Sequence, residues 1–150
     1  MSEQHPVDRA PWREHEPDRL IGRNHPAGDF LEAYDWEVLE ERLGFLRISA
    51  HIPDHVRNPR GQLFGGFTPT YVDLVALFTF RAGERDRPWR SWLATLRMEV
   101  EYLDPITDAQ VEIVSEVTAR RGRNVWVQTR FLGRDGEPRV LATTVLRASE

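Results

Sequence analysis

The chain has 150 residues, 40% of them hydrophobic and 29% charged, with a formal net charge of −4. That length fits one domain with its own core, and the acidic balance argues against a dedicated nucleic-acid binder, which carries a basic excess. Every basic position apart from the histidines is arginine, and there is no cysteine. Lysine Schiff bases, disulfides, thiol nucleophiles and cysteine-ligated metals are therefore excluded.

Residues 1–28 are polar and broken by Pro6, Pro11, Pro17 and Pro26. This predicts an extended, partly disordered arm, with Trp12, Leu20 and Ile21 available to anchor it on a partner surface. The segment is charged, unlike a secretory signal, and no run approaches the roughly 18 apolar residues of a membrane span. A cytoplasmic protein with no membrane partner is the expectation. Residues 29–150 read as a single domain.

Between Ala33 and Leu43, Trp36, Leu39 and Leu43 recur at helical spacing, which predicts a short amphipathic helix stopped by Gly44. Phe45 to Ile52 then alternates, with Leu46, Ile48, Ala50 and Ile52 on one side, as in a strand with one buried face. Pro53 to Gly61 is a loop.

From Gly61 to Phe80 the sequence reads GQLFGGFTPTYVDLVALFTF, and Asp73 is its only charged residue. Thr68-Pro69 is a helix-start signal, and the helix is expected to run to about Arg81. It is apolar on nearly every side, so it should be buried on most faces. A carboxylate in such a segment must be paired, hydrogen-bonded or functional, because burying an unpaired charge is expensive. A charged loop follows from Gly83 to Pro88. Four strand-like runs come next, at Thr95–Leu103, Ala109–Ala119, Asn124–Leu132 and Pro138–Arg147. They are separated by the turn signals Asp104-Pro105, Arg121-Gly122 and Asp135-Gly136. The order predicts an α+β fold, a curved antiparallel sheet wrapped around one central buried helix.

Asn58, Gly61, Gly65, Gly66 and Asp73, followed by Thr95, Tyr102 and Pro105, have a spacing that resembles the hotdog-fold acyl-CoA thioesterases, in particular their phenylacetate-pathway (PaaI-like) branch. Gly122-Arg123 matches a further turn of that pattern. The resemblance covers about Leu43 to Leu146. It implies a hotdog fold, an acyl-CoA substrate with no separate cofactor (coenzyme A being part of the substrate), and a homodimer or a homotetramer built as a dimer of dimers. It also implies roles. The Gly65 or Gly66 amide would bind the thioester oxygen, and Asp73 would activate water or attack the carbonyl. Thr95 would orient the water, and Asn58 would hold the site loop or the acyl group. The branch has a histidine before the glycine pair, where this chain has Phe64, which can neither donate nor accept a side-chain hydrogen bond.

Some of this chemistry also follows from the residues themselves. Small side chains at Gly65 and Gly66 let an acyl group approach backbone N–H groups at a helix start, where the dipole favours developing negative charge. Asp73 lies ~10 Å further along the axis, at ~1.5 Å per residue, too far for both to touch one carbonyl from one chain. Phe64, Phe67 and Tyr71 make the segment aromatic, as suits an aryl or medium-chain acyl group. Arg120, Arg121 and Arg123 cluster at a turn, where they could meet the CoA phosphates. His51 and His55 flank Pro53 and share no helix face, so no metal site is expected. A hotdog hydratase would pair the acid with a histidine, and none lies beyond His55. The alternative to an enzyme is a non-catalytic acyl-CoA or hydrophobic-ligand binder.

Overall fold

In the computed structural model, residues 20–23, 25–84 and 92–149 are described. Trp12 and most of the expected arm, together with residues 85–88 of the expected charged loop, lie outside them. The elements are α1 (Pro26–Phe30), β1 (Glu37–Arg42), β2 (Phe45–His51), α2 (Thr68–Arg81), β3 (Leu93–Tyr102), β4 (Gln110–Arg121), β5 (Asn124–Leu132) and β6 (Pro138–Ala148).

Helix α2 forms where Thr68-Pro69 predicts it, one residue displaced at the cap. Phe67 occupies the N-cap without a side-chain hydrogen bond, and Thr68 is the first helical residue. Tyr71, Val72, Leu74, Val75, Ala76 and Phe78 are buried, so the apolar surround does what its composition dictates. The strands make one antiparallel sheet in the order β1-β2-β4-β5-β6-β3. Strands β2 to β6 all pack on α2, which gives the expected curved sheet around a central helix. Three rings fasten helix to sheet. Tyr71 stacks on Trp36 with centroids 5.7 Å apart and meets Phe131 edge-on at 6.3 Å, offset arrangements that aromatic pairs favour.

The expected helix over 33–43 is not formed. A 3₁₀ turn at Ala33–Asp35 leads into β1, which pairs with β2 through a two-residue turn at Leu43-Gly44. Gly44 has φ +69°, the left-handed conformation that a turn needs and that glycine adopts without strain. Of the three apolar positions that suggested a helix, Trp36 alone is buried, whereas Leu43 is 75% exposed. Three positions are too few to fix a period, and pairing with β2 overrode them.

Leu20 and Ile21 are fully buried in the chain's own core and not on a partner, and Gly28 is buried beside them. The folded unit therefore begins before residue 28.

The Tyr71 hydroxyl is buried without a hydrogen-bond partner among the described residues, and burial pushes its pKa well above the ordinary tyrosine value. Removing it leaves no new unpaired group. Tyr71→Phe is expected to keep or raise the thermal midpoint. A loss of more than about 1 kcal/mol in denaturant titration would show that the hydroxyl makes a bond that matters.

Candidate functional site

The glycine pair lies just before the N-terminus of α2 and the acid near the middle of the helix, with β3 running beside the stretch between them. Asp73 is exposed in the single chain, contrary to the burial expected from its apolar segment. It is on the one side of α2 that the sheet leaves open, with Thr70, Leu74 and Leu77 at helical spacing around it. Its Oδ1 accepts a hydrogen bond of 2.5 Å from Thr95 Oγ1. Two residues that the sequence singled out separately are thus one unit.

A β-bulge makes that contact. On β3, Thr95 pairs with Leu146 and Arg97 with Val145, so Leu96 is an extra residue between them. Met98 and Val100 pack against the core, and Tyr102 reaches Gly65, just before α2, from the same face. Strict alternation from there would turn Leu96 inward and Thr95 away. The bulge moves Leu96 out, where it is 52% exposed, and brings Thr95 onto Asp73.

At the other end, the Tyr102 hydroxyl donates to the Gly65 carbonyl at 2.5 Å. The Gly65 and Gly66 N–H groups meet no acceptor among the described residues, so both remain available as donors. A Cβ on Gly66 would come within 2.9 Å of Phe64 Cε1, so a larger residue there would have to displace the half-exposed Phe64 ring. Phe64 is half exposed and packs on Phe67 at 5.6 Å. Phe67 in turn meets Phe30 at 5.5 Å, and Phe30 meets His55 at 4.9 Å. An aromatic row thus borders the glycine pair. Tyr71, expected to be part of this aromatic surface, is in the core.

Asn58 organises its own loop. Its Oδ1 accepts from the N–H groups of Arg60 and Gln62, both at 3.0 Å, and its Nδ2 donates to Gln62 Oε1 at 3.1 Å. It also lines a cavity of about 300 Å³ with Gly65, Thr68 and Tyr102. A second cavity, of about 230 Å³, lies at Asp73 and is walled by His25, Thr70, Leu74, Leu77 and Trp92. Within one chain Asn58 and Gly65 therefore line one cavity and Asp73 the other, in keeping with their separation along the helix.

Arg120, Arg121 and Arg123 are exposed at the β4–β5 turn. Arg120 lies over the Phe80 ring at 5.4 Å. Arg123 donates to the Ser149 carbonyl at 3.1 Å, and Ser149 exchanges hydrogen bonds with Trp92. One residue thus connects the basic turn to the wall of the Asp73 cavity. No group of three or more His, Asp or Glu side chains among the described residues could hold a metal. No helix among them is long and apolar enough to cross a membrane.

Sequence reasoning missed Arg57. Its largely buried guanidinium donates to the carbonyls of Ile52, Gly61, Thr107 and Asp108, at 2.8 to 3.3 Å. It ties the Asn58 loop to the connection after β3. Nothing in the local pattern signals this, because the acceptors are backbone atoms and two of them, on Thr107 and Asp108, are some fifty residues away. It missed His25 as well, which comes to the Asp73 cavity from the segment expected to be an arm. Arg57→Ala is expected to cost about 2–4 kcal/mol, because it leaves several carbonyls without their charged donor. Chemical denaturation measures this, and a loss below about 1 kcal/mol would contradict the role.

A scan against models of protein families matches none, and a search of curated proteins finds no match. Solved structures do match. A hypothetical thioesterase from Streptococcus pneumoniae, solved with coenzyme A, gives a TM-score of 0.67 at 16% identity, over 77% of this chain and 86% of that one. Zebrafish thioesterase superfamily member 2 gives 0.66 at 18% identity, over 79% and 83%. The E. coli PaaI protein, from the phenylacetic acid degradation operon, gives 0.66 at 10% identity, over 81% and 87%. The fold of this chain is the hotdog fold of these proteins. At such identities the likeness shows the fold, and the roles of individual residues rest on the geometry above.

Proposed function

We propose that this hotdog chain is an acyl-CoA thioesterase whose active site is completed by a second copy of itself. The observation that carries the reading is the Thr95–Asp73 pair, an exposed carboxylate on an otherwise apolar helix, held by a hydroxyl that only a bulge brings to it. Similarity in fold to a thioesterase solved with coenzyme A supports the substrate class.

Strand β3 is an edge of the sheet, so one side of its backbone has no strand partner among the described residues, and Trp92, Leu96, Tyr102 and Leu103 are exposed on or beside it. Long apolar edges are rarely left uncovered. A two-fold axis between Met98 and Glu99 would set β3 against its copy, antiparallel, with Thr95 opposite Tyr102. Thr95 carries Asp73 and Tyr102 carries Gly65, so each acid would face the glycine pair of the other copy. The ~10 Å separation within one chain is then no obstacle.

In this site Asp73 takes a proton from water while Thr95 fixes the carboxylate. The water oxygen adds to the thioester carbon, and the oxyanion is held by the Gly65 or Gly66 N–H of the other copy. A single donor of this kind is typically worth ~10²–10³ in rate. The C–S bond breaks, and the thiolate takes up the proton from Asp73. Phe64 adds no side-chain donor at the glycine end. Phe64 and Phe67 suit an aryl or medium-chain acyl group, Asn58 shapes the loop that receives it, and the turn bearing Arg120, Arg121 and Arg123 suits the CoA phosphates.

Thiol release from aliphatic and aromatic acyl-CoAs tests the reading, with Asp73→Asn run beside the parent. The variant keeps an acceptor for Thr95 and loses the base. It is expected to lower turnover at least about 10²-fold while remaining a folded oligomer. Equal turnover in the two would remove Asp73 from the mechanism. No turnover in the parent, with acyl-CoA still raising the thermal midpoint, would favour the non-catalytic binder, the role that the loss of a histidine at Phe64 would suit.

A further inference from the structure

Phe64 supplies no side-chain donor, but the cavity beside the glycine pair is lined by one from a neighbouring position. Gln62 shares that cavity of about 300 Å³ with Asn58, Gly65 and Tyr102. It is half-buried, and the thioesterase reading gives it no part. Asn58 sets the direction of its amide. The Asn58 Oδ1 already accepts two backbone N–H groups, those of Arg60 and Gln62, each at 3.0 Å. Asn58 therefore turns its Nδ2 toward the Gln62 side chain, and a donor there calls for an acceptor. Gln62 Oε1 takes that bond at 3.1 Å. What remains to Gln62 is Nε2, whose N–H groups meet no acceptor among the described residues.

The backbone beneath this amide is closed on itself. Gly61, at φ +75°, turns the chain back, and the Gln62 carbonyl accepts from the Asn58 N–H at 2.8 Å. Leu63 forms a bridge with Arg57, and its N–H donates to the Ile106 carbonyl at 2.8 Å. The Phe64 N–H donates to the Val56 carbonyl at 2.9 Å. Gln62 thus stands three residues before Gly65 on a turn fixed from both sides. A donor held this way needs little ordering when a ligand arrives, which is what makes an amide effective toward a developing charge.

We infer that Gln62 is a catalytic residue of this site, its Nε2–H donating a hydrogen bond to the thioester oxygen beside the glycine N–H of the same copy. The inference rests on the thioesterase reading and extends it. Gln62 supplies the side-chain donor that Phe64 lacks, and Asn58 aims it. No proton moves at Gln62. The proton of water passes to Asp73 of the other copy and then to the departing thiolate, while the charge that grows on the oxygen strengthens the bond from Nε2. A donor of this kind acts on the transition state more than on the bound substrate, so its loss should appear in kcat and not in KM.

Two variants separate this role from support of the loop. Gln62→Glu keeps an acceptor for Asn58 and loses the donor. Gln62→Met has a similar length and brings neither donor nor charge. The expected result in both is a thermal midpoint close to the parent's, KM within about threefold, and kcat lower by about 10²-fold. A parental kcat in either variant would overturn the inference, leaving Asp73 and the thioesterase reading intact. A second measurement does not depend on turnover. Side-chain amide ¹H–¹⁵N spectra of the intact protein are recorded, with the Gln62 signals identified by their absence in Gln62→Met. Two uncleavable probes are added in turn. One is phenacyl-CoA, a ketone in which a methylene separates sulfur from the carbonyl, and the other is 2-phenylethyl-CoA, the same skeleton without the ketone oxygen. Movement of the Gln62 signals with the ketone alone supports the contact, even if the parent hydrolyses no acyl-CoA and the thioesterase reading fails. Signals that stay fixed at saturating phenacyl-CoA, or that move equally with both probes, overturn the inference, even in an active enzyme.

Discussion

Strand β3 lies along α2 and is tied down at both ends, by Thr95 on Asp73 in the helix and by Tyr102 on Gly65 just before it, each at 2.5 Å. The arrangement of the site depends on this double attachment. It sets the backbone donors just before the start of α2 and the acid about two turns along, too far apart to act on one carbonyl. It also leaves β3 at the edge of the sheet, with no strand on its other side among the described residues. Within the account given above, two-fold pairing of that edge resolves both problems together, because the ends of an antiparallel pair meet opposite ends of the copy.

The remainder of the fold keeps these ends where they are. Tyr71, stacked on Trp36 and edge-on to Phe131, fixes the helix from its buried side. Arg57 and Asn58 fix the loop that leads into the glycine pair, the first through backbone carbonyls on both sides of it and the second through its own turn. Preorganisation matters more than usual at this end. With Phe64 before the pair, no donor comes from that position, and the backbone N–H groups take their aim from the loop alone.

Much of this was legible in the sequence wherever the signal is local. Thr68-Pro69 gave away the start of α2, and period-two alternation gave the buried face of β2, with Leu46, Ile48 and Ala50 inward. The motif spacing picked out Asp73 and Thr95, though not their contact. Whatever depends on distant pairing was not legible. The helix expected at Trp36–Leu43 became β1, because β2 offered a partner that three apolar positions could not outweigh. The bulge at Leu96 is visible only in register against β6. Asp73 read as buried, since composition reports an apolar segment but not which side of it the sheet leaves open. His25 lay in a stretch whose prolines suggested an arm, and its approach to Asp73 comes from the anchoring of Leu20 and Ile21 in the core.

Subunit complementation tests the central claim, a site shared between two copies, most directly. Asp73→Asn and Gly66→Val each disable one half of the site, the second by crowding the backbone where a Cβ would already meet Phe64 at 2.9 Å. The two inactive proteins are mixed, dissociated in dilute denaturant and allowed to reassociate, and thiol release from acyl-CoA is followed. Random pairing makes about half of the dimers mixed, and each mixed dimer contains one site with both halves intact, so recovery to about a quarter of parental turnover is predicted. Mixed dimers that form and remain inactive would contradict the shared site, as would Gly66→Val with full activity by itself.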